Sequence, residues 1–300
     1  MISKFRIGVL VIILNFFASV AMIWGQVENP SLLQMAVPSL NIAPDARGGG
    51  MGDMGAATLP DINSQYWNAA KYAFMGSKAG VSLSYTPWLR KLVNDVALVN
   101  MTGYYKLGNS DLQAISASLR YFSLGEVNIW ENIGDVPYGL NPYEMAFDVA
   151  YSRKLSESYS MAVTLRYIRS DMGTDQNEES NAGNAFAADI SGYLEKYVLM
   201  GNAEALWSFG FNLSNIGSKI SYDGGNTNQY LPAKLTLGTG LLYPIDDYNQ
   251  IGIYLDLNKY MVPYAPQKEE GETDVDYQTR VDDYKSWSSL SGMLKSFTDS

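Results

Sequence analysis

The chain has 300 residues, with 22 tyrosines, no cysteine, no histidine and a formal charge of −10. Without cysteine it has neither a disulfide frame nor a thiolate metal site. Without histidine the common zinc sites and every Ser-His or Cys-His nucleophile pair are excluded, leaving carboxylates, Lys, Arg, Ser and Tyr for any chemistry. An acidic chain is also a poor partner for nucleic acid.

Residues 1–25 read as a secretory signal peptide. Lys4 and Arg6 form the charged start, and Ile7 to Trp24 is almost wholly apolar. Cleavage is expected after Ala21 or Gly25; the alternative is a single transmembrane anchor. No cysteine follows, so this is not a lipoprotein signal. Losing Lys4 and Arg6 with the signal takes the charge from −10 to −12. No later run is long and apolar enough for a membrane helix.

Residues 26–78 are rich in turns. Gly50-Met51-Gly52-Asp53-Met54-Gly55 matches the dinucleotide fingerprint G-x-G-x-x-G. That fingerprint needs a buried strand before it and a helix after it. Pro44 and Pro60 forbid both, so the segment reads as a compact insert in which glycine permits close backbone approach.

Nine strands are expected, at 80–86, 96–105, 112–122, 143–152, 159–169, 186–194, 205–213, 232–243 and 250–258. The clearest is the pair within Tyr143 to Arg169. Tyr143, Met145, Phe147, Val149 and Tyr151, then Tyr159, Met161, Val163, Leu165 and Tyr167, alternate with a small or polar set. Period-two alternation gives strands with one apolar and one polar face. The paired tyrosines stand roughly 26 Å apart along the strand, or ~20 Å once tilted, about the height of an outer-membrane apolar band with an aromatic at each interface. A hairpin of a soluble sandwich would alternate too, but its polar face would be rich in Lys and Glu. Here Ser, Gly, Ala and Thr dominate, which suits a lumen.

The breaks at 106–111, 153–158 and 244–249 are short. Those at 87–95, 123–142, 170–185, 214–231 and from 259 onward are longer, and 195–204 is intermediate. Short turns on one side and long loops on the other are the pattern of outer-membrane barrels, with the long set outward. The segment before the first strand then lies on the periplasmic side. A single-chain bacterial barrel needs an even number of strands. The 300 residues are therefore expected to lack the last strands of the wall.

If Tyr151 pairs with Tyr159, Glu144 stands across from Arg166 on the lumen face, with Asp148 and Arg120 nearby. That set is a polar lumen network, expected to hold the wall or the insert rather than to form a transport path. The acidic loop Ser170 to Ala185 lacks the glycine and closing glutamate of an EF-hand and reads as solvated. The loop Ser123 to Pro142 carries Ile129, Trp130, Ile133, Val136 and Tyr138 among few charges, the composition of a partner surface. In the tail, Val281, Tyr284, Trp287, Leu290, Leu294 and Phe297 recur at helical spacing and predict one amphipathic helix after an acidic run.

Asp45-Ala46-Arg47, Gly50-Met51-Gly52, Asp61 to Asn68 and Lys71-Tyr72-Ala73-Phe74 together resemble the N-terminal plug of FadL-like outer-membrane barrels, and more closely the PorV/LptO branch of type IX secretion. The resemblance extends to about Asn258. It departs at Asn68-Ala69, where the family usually has Asn-Pro. It implies an all-β transmembrane antiparallel barrel of fourteen strands. The organisation would be signal peptide 1–25, periplasmic or plug segment 26–78 and barrel 79–300, with 259–300 a long extracellular loop. The plug motif would comprise Asp45, Gly50, Met51, Gly52, Asn63, Trp67 and Asn68. The implied activity is non-enzymatic and needs no cofactor or metal. The protein would bind the C-terminal signal domain of secreted cargo through its outer loops. It would pass cargo from the translocon to a surface sortase and attachment complex, at outer-membrane lipid and lipopolysaccharide. The rivals are a FadL-like transporter of hydrophobic small molecules, a lipopolysaccharide deacylase and a purely structural barrel.

Overall fold

The alternation is realised as strands whose faces are reversed relative to a water-soluble sheet. The computed structural model describes residues 33–298 apart from 89, 92, 94, 109–110, 130–136, 174–181, 202, 226 and 270. The signal peptide and most of the acidic loop fall outside these residues. The long strands are β1 (Ala79–Pro87), β2 (Val96–Leu107), β3 (Gln113–Leu124), β6 (Tyr143–Lys154), β7 (Tyr159–Asp171), β8 (Gly183–Met200), β9 (Ala203–Gly217), β10 (Lys234–Pro244) and β11 (Gln250–Tyr260). β4 (Val127–Ile129) and β5 (Tyr138–Leu140) make a small separate hairpin between β3 and β6. The nine long strands form one antiparallel sheet in chain order, with β1 and β11 at its edges.

The outward side chains are apolar and exposed: Val81 at 72%, Leu83 at 71%, Phe186 at 69% and Leu165 at 66%. The inward ones are polar and buried, among them Asn100, Ser118, Arg120, Asp148, Thr164, Arg166 and Asp189. Exposing so much apolar surface to water opposes the main driving force of folding. Hydrocarbon as solvent removes that conflict, and the ladder satisfies the backbone groups between paired strands, leaving the outer edges of β1 and β11 unpaired. Among the described residues no helix is long and apolar enough to cross a membrane.

Residues 33–78 fill the inside of the curved sheet. They form a 3-10 turn (Pro38–Asn41), α1 (Ala46–Gly50), α2 (Ser64–Trp67) and a second 3-10 turn (Ala69–Phe74). Their path runs the height of the wall. Val37 and Leu40 pack with Ile168, Ala185, Ile220 and Leu231, at the long-loop end. Ala69, Ala70 and Tyr72 pack with Tyr104, Ala114, Ala150, Ala162 and Tyr193, at the short-turn end. The segment was expected on the short-turn side; only its last part lies there.

Three further expectations change. The Tyr151–Tyr159 register is wrong: Tyr151 pairs with Val163, Asp148 with Arg166 and Glu144 with Ser170. The turn is only Leu155–Ser158, closed by Leu155 N–H donating to the Tyr159 carbonyl at 2.8 Å. The two registers differ by four residues, and an even shift leaves every side chain on its face. The break at 195–204 is also not a loop. β8 runs to Met200, which pairs with Ala203, so the connection is a two-residue hairpin turn starting at Gly201. The alternation of short and long connections is then regular.

The tail forms two helices rather than one, α3 (Asp274–Ser286) and α4 (Ser289–Lys295). Trp287 is extended between them. Thr273 caps α3 by accepting from Asp276 N–H, and Ser288 caps α4 by accepting from Ser291 N–H. The first turn of α3 takes Asp274 and Asp276 from the acidic run, where the helix dipole favours them.

Candidate functional site

The interior polar residues separate into two clusters. In the first, Arg166 lies between two carboxylates. Its Nε donates to Asp148 Oδ1 at 2.6 Å and its Nη2 to Asp189 Oδ2 at 2.9 Å. Its Nη1 also donates to Asn215 Oδ1. Asp189 accepts Asn215 N–H at 2.8 Å, and Ser118 Oγ donates to Asp148 at 3.1 Å. These side chains join β3, β6, β7, β8 and β9 from the inside. A bulge makes the geometry possible: the β8–β9 register shifts between Ala188 and Ile190, and Asn215 takes φ 58. A bulge re-aims side chains locally, and asparagine tolerates the left-handed conformation.

In the second cluster, Arg120 and Glu144 hold the backbone of one plug residue. Ser39 N–H donates to Glu144 Oε2 at 3.0 Å, and Arg120 Nη1 donates to the Ser39 carbonyl at 2.8 Å. The Arg120 guanidinium also lies 4.4 Å from the Tyr66 ring centroid. The four expected network residues thus all face inward, but Arg120 and Glu144 act on the plug while Asp148 and Arg166 brace the wall.

Of the plug motif, Asp45, Trp67 and Asn68 come together. Asp45 caps α1 through Gly48 N–H at 2.8 Å and accepts Trp67 Nε1–H at 2.8 Å. The Trp67 ring lies between Gly48 and Gly55; a Cβ on either would stand 2.3 Å from it. Asn68 is fully buried and bridges plug and wall, its Nδ2 donating to the Ala56 and Gly192 carbonyls, each at 2.9 Å. Asn63 precedes α2 without capping it through its side chain. Gly50 ends α1, and Met51 and Gly52 follow it as a turn; only Gly52 among the three has positive φ, at 77°.

Sequence reasoning missed several residues that hold the plug. Asp256 on β11 accepts Gly55 and Ala56 N–H at 2.8 and 3.0 Å. Asn212 donates to the Trp67 carbonyl at 3.0 Å, Ser208 to the Ala57 carbonyl at 2.6 Å and Ser160 to the Ala70 carbonyl at 2.8 Å. Lys71 is fully buried within the plug and donates to the Gly55 carbonyl at 2.8 Å and Thr58 Oγ1 at 3.1 Å. A charged or amide side chain on the small-residue face of a strand is the signal that marks Asp189, Asn212 and Asp256. Among the described residues, polar cavities of about 10 and 20 Å³ lie beside these contacts, each enough for a water molecule or so.

The expected partner loop is described in part. Ile129 ends β4 and pairs by its backbone with Tyr138 in β5. Trp130, Ile133 and Val136 lie outside the described residues, as does the structure around the Tyr138 side chain. At the same end, the Tyr230 ring stands 5.6 Å from Tyr284, which stands 5.7 Å from Trp287. Leu33, Met35, Val262 and Ala265 pack around them.

Residues 26–268 match the family model described as PorV, the type IX secretion system protein. No curated protein matches the chain.

Proposed function

Because the chain belongs to the PorV family, whose members are outer-membrane components of type IX secretion, we propose that it carries cargo rather than conducting it. In this reading residues 26–78 are a plug and 79–300 the membrane wall, with 259–300 on the cell-surface side. Residues 1–25 are a signal peptide that is removed. The long loops bind the C-terminal signal domain of secreted proteins. The protein takes cargo from the translocon and delivers it to the surface sortase and attachment complex, without catalysing a reaction itself.

The observation that carries this reading is that residues 33–78 cover the inner face of the sheet from edge to edge. The plug is hydrogen-bonded to strands from β1, where Ser84 Oγ donates to the Pro44 carbonyl at 2.6 Å, to β11, where Asp256 accepts two plug amides. Among the described residues, the cavities along this contact hold only about 10 and 20 Å³. Binding then belongs to the rim, where the long loops and tail helices gather. The same interior speaks against a transporter of hydrophobic molecules, because Asn100, Thr102, Arg120, Asp148 and Arg166 line it, whereas such ligands require an apolar pocket.

The test is to purify the tagged protein from outer membranes in mild detergent and identify what accompanies it by protein and lipid mass spectrometry. Exported proteins sharing one C-terminal β-domain, lost when 123–142 is replaced by a Gly/Ser linker, support the carrier. Stoichiometric fatty acid without protein partners refutes it.

A further inference from the structure

The direction in which the plug is threaded fixes the end of the wall at which residues 33–36 lie. Along β7, the Ser160 hydroxyl holds the Ala70 carbonyl near the short-turn end. Ile168, eight residues further along the same strand, packs against Val37 and Leu40; eight residues correspond to about 26 Å. β6 repeats the order: Ala150 meets the cluster around Ala70, while Glu144 holds Ser39 at the other end. β8 repeats it again, with Tyr193 beside the second 3-10 turn and Ala185 beside Val37. The chain therefore descends from the long-loop end to the short-turn end before β1 climbs back.

The upper end is fastened to the loops themselves. Ala36 N–H donates to the Tyr230 carbonyl at 2.9 Å. Leu33 and Met35 pack with Tyr230, Val262 and Tyr284. Lys219 Nζ lies 4.3 Å from the Tyr230 ring centroid and donates to the Lys285 carbonyl at 3.1 Å. Loop 218–233, α3 and the start of the plug thus form one clasp. Gln34 is exposed in it.

We propose that the plug is threaded through the wall from the cell-surface side, so that residues 33–36 stand on the outer face beside Tyr230, Tyr284 and Trp287. This rests on the reading that the long loops face outward. It requires that the signal peptide be gone: a chain still anchored in the inner membrane through residues 1–25 cannot bring residues 33–36 to the cell surface. It also makes the start of the plug part of the surface that a protein partner meets. A partner gripping loop 218–233 or α3 touches residues 33–36 directly.

The chain's lack of cysteine allows a clean test. Single-cysteine variants of the full-length protein, Gln34→Cys, Gly224→Cys in loop 218–233 and Glu157→Cys in a short turn, are exposed in intact cells to a membrane-impermeant maleimide. Labelling is repeated after the outer membrane is permeabilised. The expected result is that Gln34→Cys and Gly224→Cys label equally before and after permeabilisation, while Glu157→Cys labels only after it. A Gln34→Cys that needs permeabilisation while Gly224→Cys does not overturns the threading. A protected Gly224→Cys with a labelled Glu157→Cys overturns the outward direction of the loops, and with it the surface position. Comigration of each variant with wild-type protein on unheated gels shows that the wall has folded.

Discussion

Replacing Arg166 by methionine removes the one cation that two buried carboxylates share. The wild-type side chain makes bonds of 2.6 and 3.1 Å to Asp148 and of 2.9 and 3.2 Å to Asp189, with a further one to Asn215. All three charged side chains are less than 10% exposed, at 5%, 9% and 4% for Arg166, Asp148 and Asp189. Without the guanidinium, two like charges remain inside with no counter-ion in contact among the described residues. Breaking a buried pair from one side costs about 3–5 kcal/mol, and two stranded carboxylates put Arg166→Met at the upper end of that range. The surface pair Lys268–Asp274 has side chains 46% and 89% exposed, and removing it costs at most ~1 kcal/mol. The assay is urea unfolding in lipid vesicles, followed by tryptophan fluorescence and by the mobility shift on unheated gels. Neutralising the stranded groups, in Arg166→Met with Asp148→Asn and Asp189→Asn, recovers most of the loss, because the penalty lies in uncompensated charge. An Arg166→Met protein as stable as wild type refutes the reasoning. So does a triple variant no better than the single one.

Four other outcomes follow from the same contacts. Asn68→Ala leaves the Ala56 and Gly192 carbonyls without their donor; a loss of about 1–3 kcal/mol, with faster proteolysis between 45 and 68, is expected. Gly55→Val drives a side chain into the Trp67 ring, which costs about 1–3 kcal/mol by overpacking and displaces the ring; an unchanged Trp67 emission spectrum in a variant retaining only that tryptophan contradicts the packing. Arg120→Met with Glu144→Leu releases Ser39 from both sides, and channel recordings in planar bilayers then show openings absent from the wild type. The Arg280 guanidinium beside Glu272 holds that carboxyl below the usual carboxylate range. A carboxyl depressed in the folded state contributes stability above its unfolded value, and that contribution disappears as pH falls through the folded one. Amide exchange at the start of α3 is therefore expected to accelerate below about pH 4.5, and Glu272→Gln abolishes that step.

How much was readable depended on the kind of information each feature carries. That Phe147 and Asp148 lie on opposite faces follows from alternation alone, and the small residues opposite the aromatics identify the lumen side. The partner across the hairpin does not follow, because pairing Tyr151 with Tyr159 or with Val163 keeps both faces intact. Only the turn at Leu155–Ser158 distinguishes them. The end of β9 was placed too early, because Ser214, Asn215 and Gly217 resemble loop residues by composition. Asn215 instead supplies the bulge that Asp189 requires. β8 was ended too early for the opposite reason, since Glu195 and Lys196 interrupt the apolar run where the strand continues to Met200.

The same division holds for the plug. Its existence and its glycines are written locally, in Asp45 through Phe74. The sequence by itself determined an exported all-β chain with an apolar outer face, a polar inner face, alternating connection lengths and a turn-rich insert. All of these are properties of near neighbours along one chain, set by strand periodicity and turn chemistry. The tertiary structure alone decided that Arg120 and Glu144 hold Ser39, that Arg166 bridges Asp148 and Asp189, and that the insert descends from the long-loop end. Those contacts join residues about 20 to more than 100 positions apart. Strand periodicity specifies the face of each residue, whereas its height and its neighbour inside the wall are set by register and by the packing of the plug.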